Sequence, residues 1–181
     1  MRGTGMKSKY IAVVVGTVVL GVLGGRAISA QDKYTLQVPN GLAFSAFRGY
    51  ETWQVVAVSQ TSDTIEVIVA NPLMIADYQA GVPDNGKHFA NGSKMAKIHW
   101  KAKQSVDAPA PTTVPGALHD VDFMEKDSKR FPNSGGWGYA EFDYDVTSET
   151  FAPHESGSDC GHACHTIVAK KDYVFTAYPK R

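Results

Sequence analysis

Apolar and polar positions alternate along several segments of this 181-residue chain, and the alternation predicts an antiparallel β-sheet. Residues 53–59 and 64–70 are rich in β-branched side chains, and the polar turn 60–63 between them is typical of a hairpin. Residues 93–103 alternate most clearly. One face of that segment holds Ala96, Ile98, Trp100 and Ala102, and the other holds Met95, Lys97, His99 and Lys101. On this pattern alone, Lys97 is a solvated lysine on a strand with one buried side.

Helix and loop signals follow the first hairpin. Asn71 is a good helix cap, Pro72 fits the first turn, and the predicted helix ends near Gly81. Three prolines within residues 103–116 predict a surface loop. The charged run 123–131 predicts a short helix.

Residues 135–145 alternate again, as a strand does. The glycines on both sides of Trp137 suggest close approach by a neighbouring backbone or by a flat ligand. Residues 147–159 form a polar link to the C-terminal segment. The predicted fold class is therefore α+β, with an antiparallel β-sheet, a crossing helix and a C-terminal helix.

The C-terminal helix carries the most informative motif, Cys160-Gly161-His162-Ala163-Cys164-His165, which contains both cysteines of the chain. Two thiols on one helix face can add to the vinyl groups of a haem, and the adjacent His165 then lies under the iron as its axial ligand. Haem attachment sites usually have two residues between the cysteines, whereas this one has three. One alternative is a Cys160–Cys164 disulfide in a haem-free secreted binding domain. A zinc site that includes His162 matches the common zinc spacings poorly.

Residues 1–30 have the three parts of a secretory signal peptide. Residues 1–10 are basic, the 15 residues 11–25 form an uncharged apolar core, and residues 26–30 end in small side chains. The core is shorter than the ~20 residues that a membrane-spanning helix needs. We therefore expect cleavage after Ala30 and a periplasmic location, with an uncleaved membrane anchor as the alternative.

Cleavage would change the charge of the chain. It removes four basic residues and no acidic one, which leaves 14 basic against 18 acidic side chains and a net charge near −4. Without a basic run, the mature protein is not expected to bind nucleic acid. Residues 31–181 are enough for one domain with its own core. Export also places the thiols where oxidation and haem attachment occur.

Four blocks of sequence together resemble the cytochrome P-460 family, in which a haem c is also cross-linked to a lysine. The blocks are the strand from Trp53 to Asn71-Pro72, residues 89–97, residues 124–131 with 135–138, and Cys164-His165 with residues 172–176. They occur in the family's order and span nearly all of the mature chain. Their combination is more specific than any single block.

The resemblance implies a role for particular residues. Lys97 stands where the family has the lysine that bonds to the porphyrin. Cys160 and Cys164 would form the thioethers, and His165 would be the proximal ligand of the haem c iron. The implied fold is an antiparallel sheet packed against helices, often as a homodimer.

The resemblance also implies an activity. With His165 on one side of the iron and no second ligand identified, the open position would bind hydroxylamine and nitric oxide and allow oxidation to nitrous oxide or related nitrogen oxides. Electrons would pass to a redox partner cytochrome. Asp122 and Asp127 are the candidates for a catalytic distal acid, with Glu141 as a third, and His99 is a candidate for the pocket wall.

A second interpretation has the same fold. Proteins of the cytochrome c′-beta type lack the lysine cross-link and have an apolar distal pocket, and they bind nitric oxide or carry electrons without oxidising hydroxylamine. Lys97 favours the enzyme.

Overall fold

The computed structural model describes residues 31–156 and 158–181, so the predicted signal peptide lies outside the described residues. Within these ranges, six strands form one antiparallel sheet in sequential order. The strands are β1 (Gln54–Gln60), β2 (Thr64–Ala70), β3 (Lys94–Gln104), β4 (Thr113–Lys126), β5 (Trp137–Asp145) and β6 (Thr150–Pro153). The α-helices are α1 (Pro72–Gln79) and α2 (Asp159–His165), and α2 continues as a 3₁₀ segment (Thr166–Lys171). The predicted α+β class is confirmed. None of the helices in these ranges has the length and apolar character needed to cross a bilayer.

The helix signal at Asn71 and Pro72 is confirmed. The Asn71 side chain accepts a hydrogen bond from the backbone N–H of Met74, which satisfies one of the free donors in the first turn of α1. The same side chain donates to the Gly92 carbonyl at 2.8 Å and accepts from the Lys94 N–H at 3.1 Å. Asn71 therefore fixes the start of α1 against the start of β3.

Asn71→Ala is expected to lower the free energy of unfolding by about 2 kcal/mol, the upper end of the range for an N-cap, because three hydrogen bonds are lost together. Urea unfolding followed by circular dichroism measures the change. Asn133→Ala, at an exposed position, is the control and should change stability by less than about 0.5 kcal/mol. Equal effects of the two substitutions would contradict the capping role.

The sheet is longer than the sequence pattern predicts. Residues 103–116 were expected to form a loop, but β3 extends to Gln104 and β4 begins at Thr113, which leaves only 105–112 as the connection. Pro115 is accommodated because it pairs with Ala102 beside an irregularity in the β3–β4 ladder, where a missing N–H is tolerated. The polar link 147–159 contains another short strand, β6, whose Phe151 is buried opposite Tyr144.

The short helix predicted for residues 123–131 is wrong. Phe123 to Lys126 are the last residues of β4. Phe123 to Glu125 pair with both β3 and β5, and Lys126 pairs with β5. Phe123 and Met124 are both buried, one on each face of the sheet, and that burial outweighs the helix propensity of the charged residues. The rest of the run is a turn, in which the Asp127 carboxylate accepts hydrogen bonds from the N–H groups of Lys129 and Arg130.

The two faces of the sheet have different cores. One face holds an aromatic cluster, in which Phe47 stacks on Phe123 with ring centroids 4.1 Å apart. The other face packs α1 and the C-terminal segment against residues such as Met95, Met124 and Tyr139. The Ala96 and Ile98 face of β3 contacts the aromatic cluster, so the predicted division of that strand into two faces is confirmed. The expectation of a single buried side is wrong, because Met95 on the other face is only 5% exposed. The opposite face of β3 is where a cavity lies.

Candidate functional site

A cavity of about 640 Å³ lies between the sheet, α2 and residues 174–177. The sheet forms one wall of the cavity, its floor. Lys97, Asp122 and Glu141 are aligned neighbours across β3, β4 and β5, so the strand register places all three in this floor. The next aligned row is Met95, Met124 and Tyr139, so the floor changes from charged to apolar along the strands. The volume is within the roughly 300–1,000 Å³ typical of ligand and cofactor pockets.

Helix α2 brings both cysteines to this cavity. Cys160 and Cys164 are free thiols, exposed at its edge, and stand one helical turn apart on one face. Gly161, the first of the three residues between them, explains how the helix comes so close to the sheet. A Cβ atom on Gly161 would lie 2.9 Å from the ring of Tyr139, so only glycine fits there without displacing that side chain.

His165 lies at the end of α2 and lines the same cavity. Its Nδ1–H donates to the backbone carbonyl of Tyr173 at 2.6 Å, which directs Nε2 away from that bond. Burial lowers the pKa of His165, with a further contribution from the positive charge of Lys97, although the Tyr173 hydrogen bond opposes the shift. A neutral imidazole with one nitrogen bound to a carbonyl is the usual state of a histidine that ligates a metal.

The carbonyl that orients His165 belongs to an unusual turn. Asp172 and Tyr173 have φ values of 50° and 63°, so two consecutive non-glycine residues are left-handed. The Asp172 carboxylate anchors this turn, because it accepts hydrogen bonds from Lys126 Nζ at 2.6 Å and from the Phe89 N–H at 2.8 Å. The side chains of Lys126 and Asp172 are only 6% and 1% exposed, so this is a buried ion pair. The pair was not predicted from the sequence, in which Lys126 belongs to the third family block and Asp172 to the fourth.

The glycines near Trp137 permit close packing by side chains. A Cβ atom on Gly135, which has φ +67°, would overlap the Tyr173 ring, and one on Gly138 would overlap the Phe131 ring. Gly135 therefore helps to seat the turn that orients His165. The sequence predicted backbone or a flat ligand as the neighbour of these glycines. Gly136 does lie against the backbone of Ser128, whereas Gly135 and Gly138 lie against aromatic side chains.

Charged groups are concentrated at one end of the cavity. Lys97 is 35% exposed, and its Nζ lies 2.9 Å from the Glu66 carboxylate on the adjacent strand. The pKa of Asp122 is raised to about 7, mainly by burial and also by the nearby carboxylates of Asp120 and Glu141, while the positive charges of His99 and Lys97 oppose the shift. Burial also raises the pKa of Glu141. Asp122 is therefore poised to gain or lose a proton near neutral pH.

The structure brings most of the sequence candidates together. Lys97, Asp122, Cys160, Cys164 and His165 all line the one cavity. Asp127 does not line it, because it lies in the turn after β4 with its carboxylate bound to backbone N–H groups. His99 is also outside the lining and lies behind Asp122, with its Nε2 3.6 Å from Oδ2 of that residue. Glu66, which holds Lys97, was missed because its role depends on the register of β2 against β3.

An α+β domain that directs a neutral histidine and two thiols towards one large cavity belongs to the class of proteins that hold a metal-bearing cofactor. A sequence model of the cytochrome P460 family matches residues 47–176, and the chain is a member of that family. The resemblance found in the sequence is thereby confirmed, and the cofactor is a haem with its iron. No curated protein matches the chain significantly.

The residues of the cavity fit this cofactor. The Nε2 of His165 is available as an iron ligand, because Nδ1 is already hydrogen-bonded. Apolar side chains, including Ile68, Met95 and Val174, provide surface for the body of a porphyrin. The Tyr139 hydroxyl is buried without a hydrogen-bond partner among residues 31–156 and 158–181, so it remains free to bind a cofactor or a water molecule.

Proposed function

We propose that this chain is a periplasmic mono-haem c protein that oxidises hydroxylamine, together with nitric oxide, to nitrous oxide or related nitrogen oxides. One observation carries the proposal: Lys97 and Asp122, neighbours in the β3–β4 ladder, line the same cavity as His165. A simple nitric oxide carrier of the cytochrome c′-beta type needs neither a lysine nor an acid there. The electrons would leave to a redox partner cytochrome.

Covalent attachment is supported by the position of α2. The thiols of Cys160 and Cys164 face the cavity from one side of the helix, where both can reach one edge of a porphyrin. The Gly161 contact with Tyr139 holds that helix against the sheet. The spacer of three residues makes one full helical turn, which places the two sulfur atoms in line along the helix axis.

Lys97 would form the additional bond to the porphyrin. Its side chain reaches the cavity from β3, and Nζ lies 2.9 Å from the Glu66 carboxylate, which holds the lysine in place. The pKa of Glu66 is low: burial opposes the shift, but hydrogen bonds from Ser59 and Lys97 outweigh it. The Glu66 carboxylate is therefore ionised at neutral pH.

His165 and Asp122 have different roles in the proposed reaction. His165 holds the iron, and Asp122 accepts a proton from the bound nitrogen substrate at its carboxylate oxygen. The haem iron, when bound, supplies the redox chemistry and the open coordination position. Because the pKa of Asp122 is raised to about 7, its carboxylate is available as a base above that pH and is protonated below it.

An absorption spectrum of protein exported from a host that matures haem c tests the proposal, with wild type beside Lys97→Ala. A cross-linked haem should be green, with a strongly red-shifted ferrous Soret band, and the variant should show an ordinary red haem c. Lys101→Ala is the matched control, because Lys101 is on the same face of β3 but exposed and outside the cavity lining. Nitrous oxide formed from hydroxylamine is measured by gas chromatography on the same samples.

Each other result rejects part of the proposal. A red, high-spin spectrum that Lys97→Ala does not change would exclude the cross-link and favour nitric oxide binding or electron transfer. A colourless protein would favour the haem-free domain with a Cys160–Cys164 disulfide. A green protein that forms no nitrogen oxide from hydroxylamine would keep the cofactor and reject the activity.

A further inference from the structure

A row of four titratable side chains runs from the cavity to the protein surface. Asp122 lines the cavity, and its Oδ2 lies 3.6 Å from Nε2 of His99. The other ring nitrogen of His99 contacts one oxygen of the Asp120 carboxylate. The second oxygen of Asp120 contacts Nδ1 of His119, whose side chain is 42% exposed. Each member of the row thus touches or nearly touches the next.

The strand geometry explains why all four side chains are on one side of the sheet. Asp120 and Asp122 alternate with Val121 and so share a face of β4, and Asp120 is aligned with His99 on β3. His119 would normally point to the opposite face. The register slips at this point, because His99 pairs with Asp120 while Trp100 pairs with Leu118, and His119 is the extra residue. A β-bulge of this kind redirects a side chain.

The interior of the row is closed to solvent. The Asp120 side chain is 5% exposed and that of His99 is 14% exposed. Nε2 of His99 and Oδ1 of Asp120 are both buried without a hydrogen-bond partner among the residues that the structure describes, although Nε2 lies 3.6 Å from Asp122 and Oδ1 contacts the other nitrogen of the His99 ring. A small rotation of either side chain would close the gap of 3.6 Å to hydrogen-bonding distance.

Charges from three neighbouring strands set the proton affinities in the row. Burial acts to lower the pKa of His99, but the Asp120 hydrogen bond and the charges of Asp120 and Asp122 outweigh it and raise the pKa, while Lys97 opposes them. The pKa of Asp120 is lowered, because its contacts with the two histidines outweigh burial. Glu66 on β2, and Glu141 and Asp143 on β5, are the other charged side chains aligned with these positions.

We propose that Asp122, His99, Asp120 and His119 form a proton relay that connects the haem cavity to solvent. The inference rests on the proposed function, because it takes Asp122 as the acid beside the reacting substrate. His99, Asp120 and His119 do not touch the substrate and act only through Asp122.

The transfer is balanced in protons. Asp122 carries one proton from the substrate and passes it to Nε2 of His99 in its neutral form, while the proton on Nδ1 of that ring moves to Asp120. Asp120 passes a proton to Nδ1 of His119, and Nε2–H of His119 releases one to water. One proton enters and one leaves, and no electron moves. Exchange with water returns His119, whose side chain is 42% exposed, to its starting tautomer.

Time-resolved infrared spectroscopy of the holoprotein after a rapid pH jump tests the relay without turnover. The carboxyl band of Asp122, identified by its loss in Asp122→Asn, reports protonation, with an equilibrium midpoint expected near pH 7. His119→Gln should slow its appearance by roughly a hundredfold, the lower end of what a positioned proton-transfer group contributes, without moving the midpoint. A bulky morpholine buffer, which cannot ligate iron, should restore the rate in His119→Gln but not in His99→Gln, whose position is buried.

His88→Gln is the matched control, because His88 also binds a buried aspartate, Asp172, but neither residue lines the cavity. An unchanged rate in His119→Gln, or an equal loss in His88→Gln, would overturn the relay. A slower protonation of Asp122 in His154→Gln alone would also overturn the relay. His154 lies 3.8 Å from Glu141, so that result would indicate a different proton route through Glu141. Hydroxylamine oxidation by the wild-type protein is measured in parallel. If the wild type is inactive but His119→Gln still slows the protonation of Asp122 after the pH jump, the proposed function is rejected and the relay is kept.

Discussion

Asp172→Asn is expected to lower the free energy of unfolding by roughly 3–5 kcal/mol, because it leaves the Lys126 ammonium buried without its counter-charge. Asparagine is nearly the same size as aspartate and tolerates the left-handed φ of 50° at this position, so the change tests the charge and not the backbone. The Phe89 N–H and the His88 ring also bind this carboxylate. Urea unfolding at neutral pH measures the loss.

A second effect of Asp172→Asn is expected at the iron. Tyr173 follows Asp172 in the turn and provides the carbonyl that fixes the His165 ring, so a loosened turn should broaden or shift the iron–histidine stretching band in the resonance Raman spectrum. The His88 side chain, the exposed partner of Asp172, is 75% exposed. His88→Gln removes only this partner and should lower the free energy of unfolding by less than about 1 kcal/mol. The double substitution Lys126→Met with Asp172→Asn should recover part of the stability. A loss below about 1 kcal/mol in Asp172→Asn would show that the pair does not anchor the turn.

Local sequence patterns predicted the bounds of a helix or strand correctly where the segment's own residues determine its structure. Strand β2 has the predicted bounds, 64–70, and α1 begins after Asn71 as its cap predicts. The helix prediction for residues 123–131 was wrong. Their charged composition favours a helix, but Phe123 and Met124 are buried by contacts with strands distant in sequence. The length of the β3–β4 hairpin likewise depends on pairing between strands.

The candidate site shows a related limit. Alternation assigned Lys97 to the polar face of β3 but could not distinguish bulk water from a cavity lined by other polar groups. Only the family resemblance singled out Lys97 before the structure was known. No local sequence pattern marks Glu66 or Asp172 as part of the site. The strand register brings Glu66 to Lys97, and a turn distant in sequence brings Asp172 to Lys126.

Asp122→Asn is expected to reduce hydroxylamine oxidation by roughly 10²- to 10⁴-fold, the range for loss of a positioned general base, while the Soret band keeps its position. In wild type, the rate should rise with pH through about 7 as the carboxylate forms, because burial raises the pKa of Asp122 to that value. The variant should lose this dependence. Steady-state assays from pH 5.5 to 8.5 measure both effects, and Asp127→Asn, which alters an acid outside the cavity, is the comparison.

The raised pKa of Asp122 also has a consequence for stability. Its ordinary value of 3.8 applies in the unfolded chain, so the folded state binds the proton more tightly and loses stability as pH rises from about 4 to about 7. Asparagine cannot ionise, and the variant should therefore unfold at a higher temperature than wild type at pH 8, with a smaller difference at pH 5. Lower activity together with higher stability at pH 8 is the signature of a functional group held in an unfavourable environment. A variant that is less active and also less stable at pH 8 would instead indicate that Asp122 supports the fold.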